Sequence, residues 1–264
     1  MLAELARSSG RREVSLEEVL AAAPALTRVD RKYLVPLALA RTLIADLHDQ
    51  WGVLCIRDRH STRYRSTYFD TARLDTARAH VQGRRRRWKA RSRLYVEDGL
   101  CRVEVKAKDG RGQTVKTVAP TQVDRYGLLT DTERTFLGST LAGHATPADL
   151  HQLHPSVEVS YERMTLARVG TDPARMTVDW GVDCRLGPER VWVDEAYVVV
   201  ETKAGLRPTY ADRLLLDHGV RPRSFSKYVA AASLLRSDIP DNDVRRLRGS
   251  LLHHGRHQEG RQSA

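Results

Sequence analysis

Between Arg85 and Lys108, polar and apolar positions alternate with a period of two, the spacing of strands with one wet face and one buried face. Arg85, Arg87, Lys89, Arg91, Arg93 and Tyr95 take the odd positions, while Trp88, Ala90, Ser92 and Leu94 take the even ones. After the turn dipeptide Asp98-Gly99 the alternation resumes. Arg102, Glu104, Lys106 and Lys108 then share one side, and Cys101, Val103, Val105 and Ala107 the other. The pattern predicts a hairpin of 85–97 with 100–108. Further strands are expected at STYFDT (66–71), QTVKTV (113–118), SVEVSYER (156–163), ARMTVDW (174–180) and the long VWVDEAYVVVETK (191–203). Helical spacing appears elsewhere. Ser15-Leu16-Glu17-Glu18 is a capping box opening a short apolar helix cut by Pro24. Pro36 starts LALARTLIADLHDQW, with Leu39, Leu43, Ile44 and Leu47 on one face. Pro120 to Leu141 reads as helical, PADLHQL (147–153) as a short helix, and ADRLLLDHG (211–219) and SKYVAAASLL (226–235) as two closing helices. From Asp238 the chain is charged and His-rich without apolar periodicity, and reads as a disordered tail. Many strands interrupted by a few helices define an α+β, antiparallel class.

The strand faces are unusual in what they hold. ARMTVDW sets Arg175, Thr177 and Asp179 against Met176, Val178 and Trp180. In AYVVVETK, Glu201 and Lys203 share a parity, as do Thr114 and Lys116 in QTVKTV. A sheet with one solvated side is the ordinary explanation of such alternation. Solvated faces normally mix Thr, Ser, Gln and Lys, whereas these are mainly Arg and Lys with single carboxylates. At ~4 Å and an effective dielectric near 20, each like-charge contact costs about 4 kcal/mol. A polyanion would remove that cost. The alternative geometry is a β-barrel whose charged faces point into a wet lumen and whose apolar faces pack beneath helices. Arginine forks and lysine charges would then bind phosphate oxygens. Glu104, Glu158, Glu201 and Asp179 would supply oxygen ligands for Mg²⁺ or Mn²⁺, with Glu104 and Glu158 equally able to pair with a neighbouring arginine.

Charge and composition narrow the partners. The formal charge is +11 and the pI near 9.9, which points to nucleic acid, anionic lipid or phosphate-rich small molecules. Aromatic residues are 6% of the chain and only Tyr95 shares the basic face, so stacking on bases, and with it specific nucleic-acid binding, is disfavoured. Cys55, Cys101 and Cys184 are widely spaced with no CxxC, which excludes a disulfide framework and a zinc finger and fits a reduced cytoplasmic compartment. No signal-peptide run or transmembrane segment of ~20 apolar residues occurs. GRGQTVK lacks the G-K-[ST] ending of a phosphate loop. His151 and His154 read as surface residues, His253, His254 and His257 receive no role, and Tyr33, Tyr161 and Tyr228 read as core packing.

The segments DRKYLVP (30–36), STYFDT (66–71), RWKARSRLY (87–95), RVEVKAKDGRGQTVK (102–116), SYER (160–163), RMTVD (175–179), VVVETK (198–203) and SFSKY (224–228) fall in order. Together they resemble the vacuolar transporter chaperone (VTC) domain, a polyphosphate polymerase of the triphosphate tunnel, or CYTH-like, superfamily. The resemblance spans 28–236, leaving 1–27 as an N-terminal segment with a short helix and 237–264 as the basic, His-rich tail. It implies an antiparallel β-barrel tunnel with helices outside, and transfer of the terminal phosphate of ATP to a polyphosphate chain with Mn²⁺ or Mg²⁺ bound. Lys32, Arg91, Arg93, Lys106, Arg163, Arg175 and Lys227 match its catalytic cations, and Lys116 and Lys203 further phosphate contacts. Glu201 matches its metal carboxylate. Lys32 stands in D-R-K-Y where E-R-K-Y is expected, and Ser224 stands where a further basic residue can occur. The implied partners are ATP, tripolyphosphate or polyphosphate, pyrophosphate and a membrane partner protein. Two alternatives share these residues: a triphosphatase on the same scaffold, and a non-catalytic binder of polyphosphate or RNA.

Overall fold

A computed structural model describes residues 2, 4, 5, 10–21, 29–47, 50–169, 173–224, 226–242 and 244–256. Twelve strands are present among them: β1 (Glu13–Val14), β2 (Val29–Pro36), β3 (Trp51–Leu54), β4 (Ser61–Asp70), β5 (Arg87–Tyr95), β6 (Leu100–Lys108), β7 (Thr114–Thr121), β8 (His154–Arg168), β9 (Ala174–Leu186), β10 (Glu189–Val193), β11 (Tyr197–Ala204) and β12 (Leu252–Arg256). The helices are α1 (Leu16–Ala21), α2 (Leu37–Asp46), α3 (Asp75–Val81), α4 (Asp131–Thr140), α5 (Pro147–His151), α6 (Tyr210–Asp217) and α7 (Lys227–Leu235). This is the expected α+β class on a large, mainly antiparallel sheet. The chain folds as two compact units. One comprises Met1–Arg63, Tyr161–Val182 and Val193–Ser224; the other comprises Tyr64–Ser160, Asp183–Trp192 and Phe225–Ala264.

In the first unit, β11 pairs antiparallel with both β2 and β9. One side of these strands carries Tyr33, Val35, Met176, Val178, Val198 and Val200, all buried against Leu43 and Ile44 of α2 and Ala211 and Leu215 of α6. Burying a Leu or Ile side chain of this kind contributes about 1.5–3 kcal/mol. The helices therefore cover one apolar side, and alternation places Asp30, Lys32, Arg175, Asp179, Glu201 and Lys203 on the opposite side, beside the buried Leu34 and Val199. The short β1 runs parallel to β3, and Ser15 and Glu18 make the expected reciprocal cap of α1. Pro24 lies outside the described residues.

In the second unit, β4, β5, β6 and β7 form an antiparallel run. Phe69, Trp88, Ala90, Val103, Val105 and Ala107 bury one side against Leu137 and Leu141 and the adjoining Leu150. The β5–β6 hairpin closes where Gly99 takes a positive φ of 56°, a conformation that favours glycine.

Several boundaries differ from the sequence expectation. Arg84, Arg85 and Arg86 precede the strand and are exposed, so β5 starts only at Arg87. The helix expected from Pro120 begins at Asp131 behind a Thr130–Glu133 capping box. Pro120 belongs to β7, which among the described residues pairs with β6 alone, and an edge strand tolerates the missing N–H. The helix begun after Pro36 ends at Asp46, and Trp51 lies in β3. The long strand 191–203 is two strands, broken where Asp194 Oδ1 accepts a hydrogen bond from the Ala196 N–H at 2.8 Å. The tail is ordered in part. Leu252–Arg256 form β12 beside β10, where Trp192 meets His253 at 5.6 Å and Glu189 accepts from His254 and Arg256.

Candidate functional site

Register decides which charges meet. In the first unit, one cross-strand row holds Asp30, Lys203 and Arg175, and the next holds Lys32, Glu201 and Thr177. Both rows lie on the side opposite the helices, because their residues alternate with the buried apolar set. Lys203 Nζ donates to Asp30 Oδ2 at 2.9 Å and also to Glu201 Oε1, and Lys32 Nζ stands 3.8 Å from that same oxygen. Arg163 grips Asp179 with both prongs, Nε to Oδ1 at 2.6 Å and Nη2 to Oδ2 at 2.8 Å. Burial alone raises the Glu201 carboxyl, but Lys203, Lys32 and Arg163 outweigh it and hold it well below the usual carboxylate range. Glu201 is thus an ionised oxygen donor in a cationic surround. Glu201 and Asp30 both accept from Lys203, as Asp179 accepts from Arg163, and they are the hard oxygen donors that would be available to Mn²⁺ or Mg²⁺ were Lys203 to swing aside.

In the second unit, Lys89, Lys106 and Lys116 stand directly across from one another on β5, β6 and β7. Arg87 likewise faces Lys108, and Arg93 faces Arg102. Like charges directly opposite one another are destabilising. Glu104 is the only carboxylate among the residues of those three strands. It is 3% exposed. Its Oε2 accepts from Arg91 Nε at 2.8 Å and Nη2 at 2.5 Å, its Oε1 accepts from Lys116 Nζ at 2.8 Å, and Arg93 lies 3.9 Å away. Burial raises the Glu104 carboxyl, yet Arg91, Arg93 and Lys116 together hold it well below the ordinary range. This is the geometry of the ion-pair alternative for Glu104. Glu158 stands exposed on β8. His80 senses the same positive field: burial, then Lys89, then Arg87 and Lys106 push its imidazole down to about 4, against a raising hydrogen bond with the Thr76 carbonyl.

Both units fix a motif lysine from behind. Tyr33, the residue after Lys32, donates to Asp212 Oδ1 at 2.7 Å, and Asp212 also accepts from Thr202 and caps α6 through Thr209. Tyr228, the residue after Lys227, donates to Asp70 Oδ2 and stacks on Tyr68 with ring centroids 4.2 Å apart. Asp70 in turn accepts from the Thr76 and Ala77 N–H groups that open α3. Asp70 and Asp212 are both fully buried.

Of the residues chosen from sequence, Lys32, Arg163, Arg175, Glu201 and Lys203 gather in the first unit, and Arg91, Arg93, Glu104, Lys106 and Lys116 in the second. Lys227 opens α7 in the second unit, where Cys184 makes a long 3.9 Å contact to its carbonyl. Sequence reasoning passed over Lys89 and Arg102 as site residues although both lie on the basic parity, and it passed over Asp30, whose signal was its position two residues before Lys32.

These features define an α+β protein with cation-rich strand faces, each organised around buried carboxylates. The family model described as the VTC domain matches residues 27–236, and the chain belongs to that family. No curated protein matches it. Among solved structures, HpAC1 from Hippeastrum, reported with a dominant triphosphatase activity, is 14% identical. The match covers 78% of this chain and 96% of that one, with a TM-score of 0.45. The PH1819 protein from Pyrococcus horikoshii OT3 is 12% identical over 80% of this chain and 99% of its own, with a TM-score of 0.44. Nothing about function follows from likeness at that level.

Proposed function

We propose that the protein is a metal-dependent polyphosphate polymerase that transfers the terminal phosphate of ATP to the end of a polyphosphate chain. The observation that supports this most is the row Lys89–Lys106–Lys116, three facing ammonium groups whose mutual repulsion a string of phosphates would relieve. In the reaction, a terminal oxygen of the chain forms a bond to the γ-phosphorus, the bond to the β–γ bridging oxygen breaks, and ADP leaves. The attacking group is itself a phosphate, so no protein nucleophile is required. The protein's part is positioning and charge. Lys89, Arg91, Arg93, Lys106 and Lys116 hold phosphate oxygens through the second unit, as Lys32, Arg175 and Lys203 do through the first. Lys227 adds a further cation. Arg163 keeps Asp179 satisfied. Glu201 with Asp30 would hold Mn²⁺ or Mg²⁺, whose contribution is to offset charge on the reacting phosphate oxygens. Delivery of product to a membrane partner protein and a cytoplasmic supply of ATP complete this reading.

Incubation with ATP and Mn²⁺ tests it. A long acid-labile polymer is the expected product. Stoichiometric free phosphate would instead make the protein a triphosphatase, and tripolyphosphate binding without turnover would make it a non-catalytic binder.

A further inference from the structure

The first unit also contains Glu13, Cys55 and His60, which lie outside the cross-strand rows described above. Among the described residues they are the only group of three such side chains whose ligand atoms all lie within 4.8 Å of one another. The backbone brings them there by a specific route. Ile56 and Arg59 exchange both backbone hydrogen bonds, at 2.9 and 3.1 Å, around the two-residue turn Arg57-Asp58. Both turn residues take positive φ values, 49° and 60°, which non-glycine residues rarely adopt. The turn reverses the chain and sets His60 across from Cys55. The Cys55 N–H donates to the Val14 carbonyl at 3.0 Å, which ties the same corner to β1 and its Glu13.

The side chains converge on one carboxylate. His60 Nε2 lies 2.7 Å from Glu13 Oε1, and the Cys55 thiol also hydrogen-bonds to Glu13. Burial, then Glu13, raise the thiol pKa, so Cys55 is a protonated donor here. The His60 side chain is 7% exposed while that of Glu13 is 57% exposed, so the imidazole is buried and the carboxylate is open to solvent.

We propose that Glu13, Cys55 and His60 bind a thiophilic divalent metal, with zinc as the best match, and so clamp β1 to the corner after β3. One sulfur, one imidazole nitrogen and one carboxylate oxygen suit zinc, whereas Mg²⁺ and Mn²⁺ prefer all-oxygen sites. With bonds of about 2.0–2.3 Å, tetrahedral ligands sit roughly 3.3–3.8 Å apart. A cluster already within 4.8 Å needs side-chain adjustments of about 1 Å, and a water completes the fourth position. Binding replaces the hydrogen bonds to Glu13 and releases the thiol proton. The site is independent of the polymerase reading.

Titration of the full chain with Co²⁺ tests the proposal. One equivalent is expected to produce a thiolate-to-cobalt charge-transfer band in the near ultraviolet, displaced by Zn²⁺. Cys55→Ser should abolish the band, and Glu13→Gln should weaken cobalt binding at least about tenfold. Zinc at 100 times its dissociation constant should raise the unfolding temperature of the wild type by roughly 5 °C or more, and that of Cys55→Ser not at all. Absence of the band in the wild type, or its survival in Cys55→Ser, overturns the proposal. Should Cys55→Ser fail to fold, His60→Asn takes its place: a charge-transfer spectrum and cobalt affinity identical to those of the wild type overturn the proposal, and a loss of affinity supports it.

Discussion

Glu104 is the one carboxylate among the cations of β5, β6 and β7, and neutralising it separates its two effects. Glu104→Gln keeps the shape of the side chain and removes its charge. Breaking a buried ion pair by deleting one member costs about 3–5 kcal/mol. Here Lys116 is 49% exposed and Arg91 21%, so water takes over part of their solvation, and glutamine still accepts one hydrogen bond. The expected loss is therefore about 2–3 kcal/mol, read from the urea midpoint at unchanged slope. Tripolyphosphate should then stabilise the variant more than the wild type, because Arg91, Arg93 and Lys116 are left to the ligand. At one fixed concentration, 100 times the wild-type dissociation constant, the wild type gains about 2.7 kcal/mol and the tighter-binding variant gains more. An unchanged urea midpoint, or a wild type that gains more from tripolyphosphate than the variant does, would refute the role assigned to this face.

Other outcomes follow from the same geometry. Glu201→Ala should still be stabilised by tripolyphosphate in a thermal shift assay but should lose polymer formation, and unchanged turnover would count against its metal role. Tyr228→Phe leaves the buried Asp70 with one donor fewer and should cost about 1–2 kcal/mol in urea unfolding. The His80 imidazole, pushed down to about 4, stays neutral in the fold while the unfolded chain titrates near 6.5. Its contribution to stability is present above pH ~6.5 and is lost as the pH falls toward 4. By NMR titration, tripolyphosphate should move that value upward by neutralising Lys89, Arg87 and Lys106. Glu104 and Glu201, whose folded values are depressed, contribute stability that persists above the ordinary carboxylate pKa of about 4.3 and disappears only in stronger acid.

Much of the second unit was legible because its periodicity is clean and Asp98-Gly99 marks the hairpin. The first unit was harder. β2 reads VDRKYLVP, where Arg31 shares the parity of the buried Tyr33 and Val35 and reaches Asp212 at 3.7 Å, so no alternation announces a strand. Pro120 was misleading because proline opens helices as readily as it ends an edge strand. Parity also separates faces without saying which rows align. That Lys89 meets Lys106 and Lys116 depends on the exact register of successive hairpins, and that Lys203 meets Asp30 on pairing between strands distant in the chain. Glu104 and Glu201 look alike in sequence; their differing neighbours arise from tertiary pairing alone.

The tyrosines that follow Lys32 and Lys227 have a consequence for recognition. Each ring hydroxyl is bolted to an interior carboxylate that also secures a helix start, so the main chain under the adjacent ammonium has no slack. An arriving anion need arrest only side-chain torsions, about 0.5–1.5 kcal/mol of ordering per lysine, and no loop. Loosening either bolt would blur the aim of a cation whose own contacts were untouched, and affinity would fall without any loss of charge.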